Sequence, residues 1–356
     1  MTNVTIAIDC MGGDFGPSVI IPAIKKVLLS RQIKASSHQS TPKETLKFLL
    51  FGEQQALNKS LQQYKLYEHS NLELIFSKDD VLMTDKPSLA LKNKKHSSMR
   101  LALEAVRDGR ANACVSAGNT GALMAISRFI LKMLPGIDRP AIISALPTIE
   151  NGPVYLLDLG ANVECDEDRL TQFAIMGSEL CKSIDGITSP KVGLLNVGEE
   201  EFKGSELLRR VSQRFEQLDV INYCGFVEAN QIFSGNHQVI VTDGFTGNSV
   251  LKASEGLSHF LLFKIKQVFQ KNIWTRFIGL LAKPVLNLFK DEINPERYNG
   301  ACLIGLRGIV IKSHGSANID ATVCAIEEAV LQSKQKLPSR ITQSLQLASN
   351  NQSKQK

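Results

Sequence analysis

The sequence predicts an α/β fold: a doubly wound, mostly parallel sheet with a protruding helical hairpin. Three observations carry that expectation. Six apolar runs of strand type each end in a short polar turn rich in Gly, Asn, Asp or Ser. Those runs alternate with stretches of helical length, the order expected of strands joined by crossover helices. One segment, residues 256–290, departs from the alternation by being basic and apolar at once. In an open α/β sheet the carboxyl ends of the strands and the helix N-termini after them form the ligand crevice, where backbone N–H groups and helix dipoles favour anions. The six turns therefore predict one composite anion site.

In chain order, Ile6–Asp9 is the first strand and runs into Gly12-Gly13-Asp14. Helices are expected over Ile20–Leu29 and Thr41–Leu50, a strand over Leu72–Phe76 and a helix over Ser88–Arg107, opened by Pro87. Cys114–Ser116 enters Gly118-Asn119-Thr120-Gly121, and Leu156–Asp158 enters Gly160-Ala161-Asn162. A helix over Leu170–Ile184 feeds the strand Lys191–Asn196, and a helix over Ser205–Leu218 precedes a strand around Tyr223. Val239–Asp243 leads to Gly244 and Gly247-Asn248, and Ile309–Lys312 to Ser313-His314-Gly315. Residues 256–290 lack Asp and Glu but hold six Lys or Arg among many Phe, Leu and Ile, with the single Trp, Trp274, near the middle. Two helices joined by an apolar tip fit that pattern, serving a homodimer, a membrane surface, or both. Membrane contact would fall to Trp274, Phe277, Ile278, Leu280 and Leu281. Residues 1–333 read as one α/β catalytic domain that includes the hairpin, and 334–356 as a polar, partly disordered tail.

Length and composition suit a globular enzyme: 356 residues, 43% of them apolar. Neither a signal-peptide pattern nor an uncharged apolar run of membrane-spanning length is visible, so a cytoplasmic location is expected. The seven cysteines are scattered, without Cys-x-x-Cys or His at metal-ligand spacing, and read as reduced thiols with no metal site. A net charge of +6 suits an acidic partner.

The sharpest local signal is Ser116-Ala-Gly-Asn-Thr-Gly-Ala122. Small residues let backbone N–H groups approach a ligand, while Ser116, Asn119 and Thr120 supply side-chain donors beside Gly118 and Gly121. An ordinary strand-to-helix turn is the plain alternative for any one such loop. Neither a P-loop nor Gly-x-Gly-x-x-Gly occurs, so nucleotide binding is unsupported. Asp9, Gly12, Gly13, Asp14 and Asp243 fall at two other turns and are expected to position a polar substrate group, with turn formation as the alternative. Lys203, Lys252 and Lys312 are cations beside strand ends. Lys312 and His314, two apart in an extended segment, share a face and pair a fixed charge with a group that titrates near neutrality. No Gly-x-Ser-x-Gly or activated-cysteine signature appears, and Cys10, the cysteine nearest the crevice, is not read as a nucleophile. Direct attack of a bound anion on an acyl group is the expected chemistry, with the protein supplying positioning and oxyanion stabilisation, for which backbone amides, Asn162 or Asn248 are candidate donors. Lys92, Lys94, Lys95 and Arg100 make a basic face, either a solvated helix surface or a dock for an acidic partner.

Taken together, Asp9–Pro17, Asp85–Ser88, Ser116–Ala122, Asp158–Asn162, Gly198–Gly204, Asp243–Asn248 and Ile311–Gly315 are very similar to the PlsX-type phosphate acyltransferases of bacterial phospholipid synthesis. The resemblance runs in order over roughly residues 4 to 330. It implies a fold like phosphotransacetylase and isopropylmalate dehydrogenase, a homodimer, no cofactor, and peripheral attachment to the inner face of the cell membrane. It also implies the conversion of long-chain acyl-[acyl-carrier protein] and inorganic phosphate to acyl phosphate, passed to a membrane glycerol-3-phosphate acyltransferase; no nucleic acid is involved. Cys10, Cys165–Asp168 and Ala229–Gln231 depart from the family pattern. The rivals are a phosphotransacetylase acting on acyl-coenzyme A, an NAD-dependent β-decarboxylating dehydrogenase on the related fold, and a non-catalytic membrane scaffold for lipid-synthesis enzymes.

Overall fold

A computed structural model describes residues 3–37, 45–150, 152–293 and 298–354. In chain order its elements are β1 (Asn3–Asp9), α1 (Pro17–Ser37), β2 (Thr45–Gly52), α2 (Gln54–Gln63), β3 (Leu72–Phe76), α3 (Pro87–Asn93), α4 (Ser98–Arg107), β4 (Ala113–Ser116) and α5 (Thr120–Leu131). There follow β5 (Ala141–Leu146), β6 (Val154–Leu157), α6 (Glu167–Ile184), β7 (Lys191–Leu195), α7 (Glu206–Glu216), β8 (Asn222–Val227) and β9 (Val239–Val241). The chain closes with α8 (Gly244–Phe269), α9 (Ile273–Ile293), β10 (Ala301–Ile304), β11 (Ile309–Lys312), α10 (Ile319–Ser333) and α11 (Leu337–Lys354).

All the strands join one sheet of order β3-β2-β1-β4-β11-β10-β5-β6-β9-β7-β8. β1 to β4 and β11 run parallel, as do β6 to β9, but β10 and β5 between them pair antiparallel on both sides. Following the directions across the sheet, the two parallel blocks point opposite ways. Buried side chains pack on both faces: Ile6, Ile8, Phe48 and Leu50 with Phe173, Ile175, Ile326 and Ile341 on one, and Leu49, Phe51, Met99, Ala122, Ile126 and Val310 on the other. That is the doubly wound arrangement, with period-2 alternation along each strand sending neighbours to opposite faces.

Several expectations change. The predicted helix over Thr41–Leu50 is instead strand β2, its first four residues lying outside the described ones. Phe48 to Phe51 can be buried on both faces only as an inner strand, and β2 pairs with β1 and β3. The single helix over Ser88–Arg107 is two, because the Ser97 side chain accepts the Arg100 amide and starts α4 afresh. The hairpin tip, Gln270 to Asn272, is polar rather than apolar, with Asn272 and Thr275 exchanging N–H bonds through each other's side chains. The polar tail is replaced over Leu337–Lys354 by helix α11, whose Leu337, Ile341, Leu345 and Ala348 follow helical spacing onto the α6 side of the core. Short strands β5 and β10 have no counterpart in the sequence expectation.

Candidate active site

Strand β1 delivers Asp9, fully buried, to the end of the sheet where β4 delivers Ser116. The hydroxyls of Ser98 and Ser116 each donate to the Asp9 carboxylate at 2.6 Å. Burial pushes the Asp9 carboxyl up, and these hydroxyls with the Met11 and Gly12 amides pull it back. Ser116 in turn accepts the Gly118 amide at 3.1 Å. Asp9 and Ser116 are thereby spent on shaping the turn. The packing permits no side chain at Gly12: a Cβ there would lie 2.7 Å from the Gly118 nitrogen and 2.8 Å from Asp9. Gly13 holds a φ of +84°, and Asp14 beside it donates its amide to the Gly315 carbonyl at 2.8 Å.

After that turn, helix α5 begins with its amides open. Asn119 caps it, accepting the Ala122 amide, while its own amide group donates to the carbonyls of Met83 and Asp85 at 2.8 and 3.0 Å. Among the described residues, the N–H groups of Asn119, Thr120 and Gly121 and the Thr120 hydroxyl have no hydrogen-bond partner. Such a helix start is a natural anion seat.

Lys312, at the end of β11, lies beneath it. Its ammonium donates to the Ala117 carbonyl at 3.3 Å and the Ser313 carbonyl at 2.5 Å, leaving one hydrogen unspent. Burial lowers its pKa to about 8, opposed by Asp9 and assisted by Lys252. His314 is exposed beside it. The Ser316 amide donates to His314 Nδ1 and the Ser316 hydroxyl lies 2.9 Å from it, so the hydrogen bonds assign the ring proton to Nε2, which faces no partner. Partial burial, then Lys252, holds His314 below the ordinary imidazole range, which favours the neutral ring. Asn299 fixes this loop: it accepts the His314 amide and donates to the Ser313 hydroxyl, each at 2.8 Å. Cys10 is buried with its thiol pushed well up, which keeps it protonated.

The remaining predicted residues form a second group. Because β6, β7 and β9 run against β1, β4 and β11, the turns after them open on the other edge of the sheet. The single composite site is thus corrected to two clusters. Asp158 is buried there and accepts the amides of Ile142, Ala161 and Asn162, so it staples the turn. Both amide hydrogens of Asn162 are engaged, to Pro140 and Asp158, which removes it as an oxyanion donor. Asp243 caps α8 through the Thr246 amide and hydroxyl. Lys203 pairs with Glu200 at 3.0 Å. It sits five strands from β11, a lateral separation of about 24 Å, and does not join Lys312. Asn248 is exposed on the first turns of α8. From there α8 climbs toward the first cluster, so that Lys252, paired with Glu255 at 2.8 Å, acts on both Lys312 and His314.

On the basic face, Lys92, Lys94 and Lys95 lie on α3 and just after it, and Pro87 of the same helix abuts Gly121. Arg100 is turned inward, paired with Glu104 at 3.0 Å and stacked over Phe129. On the hairpin, Trp274, Phe277, Ile278, Leu280 and Leu281 are all exposed. Among the described residues no helix is long and apolar enough to cross a membrane.

Sequence reasoning missed Ser98 and Asn299. Ser98 is one residue of an unremarkable helix start. Asn299 follows the hairpin with no motif around it. Each matters only through a partner about 90 or 15 residues away, which no local pattern encodes.

Comparison with known proteins agrees with this architecture. A family described as fatty acid synthesis protein matches residues 4–340. A protein of Shewanella sp. (strain MR-4) named phosphate acyltransferase is 47% identical over 346 residues, covering 97% of this chain and 98% of that one. Among solved structures, a phosphotransacetylase from Streptococcus pyogenes superposes with a TM-score of 0.60 at 15% identity, over 93% of this chain and 94% of that one. A branched-chain phosphotransacylase from Enterococcus faecalis gives 0.58 at 15% identity, over 93% and 99%. At such identities these two speak to the fold alone.

Proposed function

The chain belongs to the fatty acid synthesis protein family, as an enzyme akin to its phosphate acyltransferases, and from that premise we propose that it forms acyl phosphate from long-chain acyl-[acyl-carrier protein] and inorganic phosphate. One observation carries the reading: a buried lysine under an open helix start, with a neutral histidine N–H beside it.

In the proposed reaction, phosphate dianion sits on the α5 amides with Lys312 as its counter-charge. A phosphate oxygen forms a bond to the thioester carbonyl carbon, the carbon–sulfur bond breaks, and the phosphate proton passes to the departing sulfur. A thiol with a pKa near ~8.5 leaves readily and needs no strong acid. His314 Nε2–H donates to the carbonyl oxygen as charge develops on it. Removal of such a donor costs roughly 10² to 10³ in rate.

Lys92, Lys94 and Lys95, adjacent to the cradle through Pro87, suit an acidic carrier protein. The α8–α9 hairpin suits a homodimer contact and docking of Trp274 and its neighbours on the cytoplasmic face of the membrane, within reach of a glycerol-3-phosphate acyltransferase. The test is acyl phosphate formation, trapped with hydroxylamine, from palmitoyl-carrier protein and phosphate, with palmitoyl-coenzyme A run alongside. Turnover of the carrier-protein substrate supports the reading. Turnover of coenzyme A substrate alone moves it to a phosphotransacetylase, which the fold also accommodates, and turnover of neither favours a scaffold.

A further inference from the structure

The cradle is polar, yet its mouth is edged with large apolar side chains that the chain leaves in solvent. Phe15 is 53% exposed, Leu82 56% and Met83 45%. All three are tied to the site by the backbone. Phe15 follows Asp14, whose amide bonds Gly315. Leu82 and Met83 belong to the loop that the Asn119 side chain grips at the Met83 and Asp85 carbonyls, and the Asp85 carboxylate accepts the Leu82 amide at 2.9 Å. The Met83 methyl lies 3.0 Å from where a Cβ on Gly315 would stand, next to His314.

We propose that Phe15, Leu82 and Met83 form the rest for the part of the substrate's acyl chain that runs out of the cradle beyond its first carbons. The proposal deepens the acyl-transfer reading given above and rests on it. In attack geometry the thioester carbon lies roughly 3 to 3.5 Å from the phosphate oxygen. The methylenes attached to that carbon must therefore leave the cradle within a few ångströms. The polar floor made by Lys312 and the α5 amides gives an alkyl chain nothing to pack on, whereas this rim does. Each methylene taken from water onto apolar surface adds about 0.8 kcal/mol, roughly a fourfold gain in affinity. Methionine suits the place, since its flexible thioether adapts to chains lying at slightly different angles. Asn119 joins the two functions, capping the helix that receives phosphate and gripping the loop that receives the chain.

The experiment compares kcat/KM for butyryl-, decanoyl- and palmitoyl-carrier protein in the wild type, Met83→Gln, Leu82→Gln and Phe15→Ser. Expected is a loss that grows with chain length, about tenfold for palmitoyl and at least about threefold larger than for butyryl, with Met83→Leu restoring the palmitoyl rate. All three side chains are exposed, so melting temperatures serve to confirm that the variants fold. A loss equal at every chain length, including one caused by a second copy covering the rim and accompanied by a changed oligomeric state, overturns the proposal. So does no loss at all. A wild type that makes no acyl phosphate from any of these thioesters overturns the acyl-transfer reading instead, and the rim with it.

Discussion

Lys312 carries a charge that folding makes costly. Its pKa falls from 10.5 in the open chain to about 8, because burial disfavours the ammonium. Between those values the unfolded chain binds more protons than the folded one, so stability rises as pH climbs from about 8 toward 10.5, and below pH 8 the full cost is present. In the proposed reaction phosphate is the missing counter-charge. Lys312→Met should therefore raise the KM for phosphate at least about tenfold while leaving the melting temperature in phosphate-free buffer at pH 7 unchanged or higher. A fall in melting temperature would show that the ammonium stabilises the empty protein. Wild-type phosphate affinity should weaken as pH rises through about 8, measured by titration at constant ionic strength. Ser98 tests the other buried charge. Ser98→Ala removes a 2.6 Å hydrogen bond to Asp9 and should cost about 1.5–3 kcal/mol in urea unfolding. At this scale the sequence was informative where residues are neighbours: the structure brings the Lys312–His314 segment against the Ser116–Gly121 loop. It was misleading where a polar side chain is consumed by structure, since nothing local says that Asn162 has no hydrogen to spare or that Ser116 points inward to Asp9.

Helix α8 is the element that links the two clusters, and its start is wedged tightly. A Cβ on Gly247 would meet the Asp158 carbonyl oxygen at 2.0 Å. Neither is at the end of a flexible side chain, so Gly247→Ala must displace α8 or the β6 turn, at about 3 kcal/mol or more. Because α8 also presents Lys252 to His314, the surviving folded enzyme should lose turnover as well; an active variant of wild-type stability would refute the wedge. Long amphipathic segments such as α6 and α7 were legible from their spacing, and β3 was placed to the residue. Strands β2, β5 and β10 fared worse. Strand β10 has only Ala301–Ile304, too few for a period, and Phe48–Phe51 of β2 is apolar on both faces, which in sequence does not distinguish a buried strand from a helix.

Across the whole molecule, alternation of strands and helices announced a doubly wound sheet, but strand direction was not legible. Direction is decided by which edge each strand joins, and β10 and β5 enter between blocks that are distant in sequence. Reversal there separates six similar turns into two groups. The same strand order sets a clock on synthesis. β11 lies between β4 and β10, so β4 is made early and then waits for a neighbour encoded nearly two hundred residues downstream. At about 5–20 residues per second that interval is roughly ten to forty seconds, during which the Ala113–Ser116 edge is uncovered and Lys312 does not yet exist. A polypeptide ended after Leu306 should collect in the insoluble fraction, whereas a soluble, cooperatively melting product would show that β4 can do without its neighbour. A ribosome halted anywhere before β11 holds a chain with much of its hydrophobic interior and the α5 amides, but without Lys312 and His314, so on the proposed mechanism acyl transfer has to wait for the end of translation.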